Sequence, residues 1–195
     1  CGLSSKPALA DYDYTLESRV ADLQALIDKL VPEGPVTLVL HDWGGMIGTA
    51  WAARNPGRVK RLVLLNTAGF RLPPSKPLPF TLKLVRNTWL GAAMIKYLNA
   101  CARGATRMAM TRTRMSKPVR DAYCAPYDSP ANRIATLRFV QDIPLGPNDP
   151  AYAIVAQAEE KLEQGLLDKV PTLICWGDKD FVFDHHFLAR WQQLL

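Results

Sequence analysis

A chain of 195 residues, 48% of them apolar, is long enough for one domain or for a domain carrying an insertion. No apolar run approaches the length of a membrane span, so no transmembrane segment is expected. The net charge of +6 raises the question of nucleic acid, but the basic stretch carries no recognisable binding motif, and nucleic acid is not expected as a partner. The chain begins with Cys1 and stops at Leu195 inside a helical pattern, so it is expected to be an interior piece of a longer protein.

In chain order, Cys1 to Tyr14 reads as loop. Thr15 is placed to cap a helix over Leu16–Leu30, with Leu16, Val20, Leu23, Ile27 and Leu30 on one stripe. Pro32, Gly34 and Pro35 lead into Val36–Leu40. That continuous apolar, β-branched run predicts a strand buried on both faces of a parallel sheet. A glycine-rich helix follows directly and runs to about Arg54, where Asn55, Pro56 and Gly57 stop it.

The junction His41-Asp42-Trp43-Gly44-Gly45 leaves no room for an ordinary loop. A strand-to-helix turn this sharp lifts one side chain, here Asp42, off the end of the sheet. Gly44 is expected to let the backbone turn. Gly44, Gly48 and Ala52 are expected to present a bare helix face to the sheet. An Asp at this place is either a helix cap or a nucleophile. The aromatic Trp43 and the paired glycines favour the nucleophile. The segment resembles the nucleophile elbow of the haloalkane dehalogenase-like branch of the α/β-hydrolases, in which Asp replaces the Ser of esterases. Gly2-Leu3-Ser4-Ser5-Lys6-Pro7 resembles the segment that follows an early strand in dehalogenases and epoxide hydrolases.

The resemblance implies an α/β fold of the α/β-hydrolase type, a mostly parallel sheet with helices on both faces and a helical cap insertion, here incomplete. The expected division is 1–69 as core with the elbow, 70–167 as cap, and 168–195 as returning core. Arg61–Leu65 is the next strand, ending at Asn66 and Thr67. No acid stands there, so the acid must come from elsewhere. Pro73, Pro74, Pro77 and Pro79 mark a linker. Helical patches follow at about Thr81–Leu98, Ser116–Tyr123, Ala131–Val140 and Tyr152–Leu167. Eleven basic and no acidic residues lie between Arg71 and Arg120, so the net positive charge belongs to the cap. That run is either a solvated helix face or a surface for an acidic protein, a membrane or an anionic carrier.

Val170–Gly177 reads as a third strand. Gly177-Asp178-Lys179-Asp180 resembles the turn that holds the triad acid in many α/β-hydrolases, with Asp180 as the expected acid and Asp178 as the substitute. A further helix begins at about Asp184. The chain holds three histidines, His41, His185 and His186, and none stands where the family places its base. The catalytic His is therefore expected outside this chain, and the piece alone is expected to be inactive. Cys1, Cys101, Cys124 and Cys175 show no metal or redox spacing, with Cys175 expected in the core. No metal and no cofactor are expected.

An Asp nucleophile is already ionised at neutral pH and can displace a leaving group from a saturated carbon. The indole N–H of Trp43 suits a leaving anion or oxyanion. Trp89 is a candidate for a second donor. Pro126-Tyr127-Asp128-Ser129, Phe139–Pro144 and Cys175–Asp184 are similar to the β-lactone decarboxylases of bacterial long-chain olefin biosynthesis. The resemblance implies conversion of an apolar cis-β-lactone to a cis-alkene and carbon dioxide, in the cytoplasm, beside protein partners of an olefin-biosynthesis assembly. Alternatives on the same residues are hydrolytic dehalogenation of a haloalkane and epoxide hydrolysis, the latter needing acids from Tyr97, Tyr123 or Tyr127. A non-catalytic docking module is the alternative outside enzymology.

Overall fold

The computed structural model describes residues 2–77 and 80–195. Cys1 and Pro79, named above for the cysteine inventory and the linker, lie outside the described residues. By its internal contacts the chain divides into two compact units. One comprises Thr15–Lys76 and Pro144–Leu195, and the other Cys1–Tyr14 and Pro77–Ile143.

The first unit is built on three parallel strands, β1 (Val36–Asp42), β2 (Val59–Thr67) and β3 (Thr172–Cys175), side by side in the order β1-β2-β3. Helix α1 (Leu16–Leu30) precedes β1, and α2 (Trp43–Arg54) connects β1 to β2. Thr15 caps α1 as expected, accepting the Ser18 N–H at 3.3 Å. Leu38 and Leu40 of β1 and Leu62 and Leu64 of β2 are buried, and α2 packs against these two strands. The core there includes Trp51 of α2, Phe70 just after β2, and Leu16 and Val20 of α1, all at or near zero exposure.

The opposite side of the strands differs from the expectation of burial on both faces. Val39, Val63 and Leu173 form one row across the sheet. Val39 is 61% and Leu173 57% exposed. Cys175, expected in the core, is exposed as well. A continuous apolar run does not say which of its two alternating faces is covered.

The second unit is helical. Where the sequence suggests one helix over 81–98 there are two, α3 (Phe80–Asn87) and α4 (Trp89–Leu98). Thr88 separates them: its hydroxyl accepts the Gly91 N–H at 3.0 Å and donates to the Leu84 carbonyl at 2.7 Å. Helix α5 (Ala100–Met108) is not anticipated by the sequence reading, because its Ala, Gly and Arg residues leave little apolar periodicity. After it come α6 (Lys117–Cys124) and α7 (Ile134–Gln141). Buried Arg133 ties the unit together, donating from Nε to the Tyr127 carbonyl and from its terminal nitrogen to the Lys96 and Tyr97 carbonyls at the end of α4.

The chain returns to the sheet unit through α8 (Tyr152–Glu163), whose Val155, Ala158, Glu159 and Leu162 form a buried stripe, and α8 packs on α2. Helix α9 (His185–Leu194) closes the unit, with Trp191 fully buried against Phe70 and donating to the Thr67 carbonyl at 2.9 Å.

Candidate active site

The strand β1 continues to Asp42, and α2 begins at the next residue. Asp42 has φ 51° and ψ −125°, a backbone conformation that L-residues avoid. Holding a non-glycine residue there costs on the order of 1–3 kcal/mol. The surroundings hold it in place. The Thr67 hydroxyl at the end of β2 donates to the Asp42 carbonyl at 2.5 Å, and Thr67 is the strand partner of Asp42 across a register shift.

The glycine that makes the turn fit is Gly45 rather than Gly44. A Cβ on Gly45 would stand 2.1 Å from the Thr67 hydroxyl oxygen and 2.3 Å from the Ala68 carbonyl oxygen, whereas one on Gly44 would meet nothing within 4 Å. At Gly48 a Cβ would run into the Leu40 side chain at 2.5 Å. The face of α2 turned to the sheet is therefore Gly45, Gly48, Thr49 and Ala52. Of the Gly44-Gly48-Ala52 stripe expected from the sequence, Gly48 and Ala52 lie on this face and Gly44 does not; Gly45 takes its place.

Asp42 precedes α2 but its side chain makes no capping hydrogen bond. Asp42 as a residue is exposed, but the protein packed around its carboxyl desolvates that group and pushes its pKa up. The neighbouring His41 and the backbone N–H of Trp43 act in the opposite direction, and the negative charge of Asp180 adds to the rise. The charge of Asp180 thus reaches Asp42. Trp43 is half-buried, and the guanidinium of buried Arg19 lies 4.8 Å from its ring centroid. A desolvated cation over an indole is worth up to about 2 kcal/mol and fixes the ring plane.

Asp180 sits in the turn after β3 and accepts the N–H groups of Val182 and Phe183 at 2.8 and 3.0 Å. That turn is fastened to the end of β2 by Asn66. The Asn66 amide donates to the carbonyls of Gly177 (2.9 Å) and Phe183 (3.1 Å), and its oxygen accepts the Gly177 N–H (2.7 Å). The sequence marks Asn66 only as a strand-end residue where an acid was absent. Its role as a clamp over 111 residues has no local signal. Asp178, the substitute acid, is exposed in the same turn.

The histidines do not join these groups. His41 is exposed, and His186 Nδ1 lies 3.0 Å from Asp184 Oδ1 rather than beside Asp180. Asp184 also holds Lys76 at 2.7 Å and caps α9. Burial acts to raise the Asp184 pKa, but hydrogen bonds from Lys76 and His186 outweigh it and lower it to about 2. Among the described residues Asp184, His185 and His186 bring potential metal-ligand atoms within 4.8 Å of one another, but Asp184 is already engaged by Lys76 and His186. A 580 Å³ cavity in the sheet unit has a mixed wall, with Arg71, Glu159 and Arg190 beside Leu72, Pro73 and Pro74. Neither Asp42 nor Asp180 lines it. Trp89 lies at the start of α4 in the helical unit, 82% exposed.

A strained strand-to-helix turn that lifts a carboxylate beside a second acid turn is the arrangement of an α/β-hydrolase. A family model described as the alpha/beta hydrolase fold matches residues 1–195, and the chain belongs to that family. It is 54% identical over 193 residues to a cis-3-alkyl-4-alkyloxetan-2-one decarboxylase of Shewanella oneidensis, covering 99% of this chain and 60% of that protein. It is 47% identical over 199 residues to the protein of the same name in Xanthomonas campestris pv. campestris, covering 100% of this chain and 65% of that one. A haloalkane dehalogenase of Mycolicibacterium paratuberculosis is more distant, at 31% identity over 94% of this chain and 57% of its own length. Among solved structures, the haloalkane dehalogenase DatA from Agrobacterium tumefaciens C58 superposes with a TM-score of 0.80 at 25% identity, covering 99% of this chain and 65% of that one. The chain thus spans about 60–65% of the length of the decarboxylases it matches.

Proposed function

We propose that the whole protein is a cis-β-lactone decarboxylase that opens a dialkyl oxetan-2-one with Asp42 as nucleophile. The observation that carries the reading is the elbow itself, an aspartate at φ 51° with no capping bond and followed directly by Trp43. The names of the two relatives at 54% and 47% identity support the substrate class. In this reading the Asp42 carboxylate attacks the saturated ring carbon that bears the lactone oxygen. The carbon–oxygen bond breaks and its electron pair leaves as a carboxylate, which the Trp43 N–H holds. Loss of carbon dioxide then returns an electron pair to form the alkene and expels Asp42 unchanged. Asp180 orients a histidine outside residues 1–195. Residues 70–167 serve as the cap insertion. The protein works in the cytoplasm beside other proteins of an olefin-biosynthesis assembly and requires no cofactor.

A second reading, hydrolytic dehalogenation, draws on the dehalogenase at 31% identity. It needs the same Asp42, with a base to cleave the alkyl ester. One experiment separates the two. The full-length protein is given a long-chain cis-β-lactone and, separately, a 1-haloalkane, while alkene and halide are followed. The expected result is alkene without halide, reduced at least about a thousandfold in Asp42→Ala. Halide without alkene would reverse the order, and alkene production that survives Asp42→Ala would remove the nucleophile.

A further inference from the structure

The helical unit carries a surface that the reading of Asp42 does not use. Helix α4 turns Gly91, Ile95 and the following Asn99 inward. Its outward positions Leu90, Met94, Tyr97 and Leu98 fall at i, i+4, i+7 and i+8, one continuous stripe of apolar side chains in water. Trp89 begins the same helix at 82% exposure. A surface helix normally points such a stripe at the core. Here the core side is occupied instead by Gly91, whose α-carbon lies so close to the Val85 backbone that a Cβ would stand 2.3 Å from its carbonyl oxygen.

Charge follows the stripe along the chain. One residue, Asn99, separates α4 from α5, and the exposed side chains that follow include Arg103, Arg107, Met108, Met110, Arg112 and Arg114. Among the described residues no carboxylate pairs with any of these four arginines. The sequence from Arg71 to Arg120 holds no acid at all, so nothing there repels a negative surface. Tryptophan and tyrosine prefer the headgroup level of a bilayer, leucine and methionine the hydrocarbon just below it, and arginine the anionic headgroups. An acidic protein would answer the arginines but not a bare Leu90-Met94-Leu98 stripe.

From the exposed stripe and the exposed arginines that follow it in the chain we propose that this part of the helical unit docks in the plane of an anionic phospholipid bilayer. The apolar stripe of α4 enters the interface and Arg103, Arg107, Arg112 and Arg114 lie on the headgroups. The proposal stands apart from the chemistry assigned to Asp42, and either can fail without the other.

The test uses the full-length protein and two sets of vesicles, pure phosphatidylcholine and an equimolar mixture with phosphatidylglycerol. Co-sedimentation is expected to be at least about tenfold stronger with the anionic vesicles and to weaken with added salt. Replacing the four arginines with Gln should lower binding about tenfold or more. Leu90→Ser with Leu98→Ser should lower it as well. Because all six positions are exposed, melting temperatures report whether these variants remain folded. Independently of them, vesicles should shift the tryptophan emission of the unaltered protein to the blue, and Trp89→Phe should abolish the shift. Equal binding to both vesicle types, no binding to either, or a blue shift that survives Trp89→Phe would overturn the proposal. So would a folded four-arginine variant that binds like the parent.

Discussion

Gly45 has no space for a methyl group. With the Thr67 hydroxyl and the Ala68 carbonyl both closer than 2.5 Å to any Cβ built there, Gly45→Ala must push β2 away from α2. Thermal melts are expected to show a loss of about 2 kcal/mol or more, against almost none for Gly44→Ala. Asp42 makes a different prediction. Its carboxyl is harder to ionise folded than unfolded, because burial is the leading influence on it. A carboxyl with a raised folded-state pKa costs stability as pH rises from its ordinary value of 3.8 through the raised one. Asp42→Asn should therefore melt higher than the parent at neutral pH and show no such gain once the pH is low enough to protonate Asp42 in both states. A parent that is equally or more stable at neutral pH would contradict the desolvation account.

Asp184 illustrates the opposite sign at the scale of an element. It caps α9, pairs with Lys76, and has its pKa lowered to about 2 by Lys76 and His186 against the effect of burial. Its contribution is present above the ordinary value of 3.8 and disappears as pH falls towards 2. Asp184→Asn keeps an oxygen for the cap and removes the charge, so it should cost about 1–2 kcal/mol at pH 7 and nothing near pH 2. Denaturant titrations at the two pH values read this directly. The elements themselves were largely legible in the sequence. The cap at Thr15, the strand before Asp42 and the helix start at Asp184 each carry a local chemical mark. The break at Thr88 depends on one hydroxyl that serves two turns, and the need for Gly45 rather than Gly44 depends on Asp42 being the last strand residue; periodicity resolves neither. Asn66 was visible as a residue but not as a clamp, because its partners Gly177 and Phe183 come after the whole helical unit in the chain.

For the molecule as a whole, that clamp sets an order of events. The parallel crossover unit β1-α2-β2 closes through short connections, so Asp42, Gly45 and Thr67 come together among near neighbours. Pairing of β3 with β2, the Asn66 bonds and the Trp191 bond to Thr67 must wait for loops of more than 100 residues to close. The elbow is thus expected to belong to the folding nucleus, and the turn bearing Asp180 to the last stage of folding. Asn66→Ala should accelerate unfolding about tenfold or more while leaving the folding rate almost unchanged, a φ-value near zero measured by stopped-flow. Thr67→Val should slow folding. A growing chain leaving the ribosome would, on this order, hold its strained aspartate in place long before the acid turn that accompanies it exists.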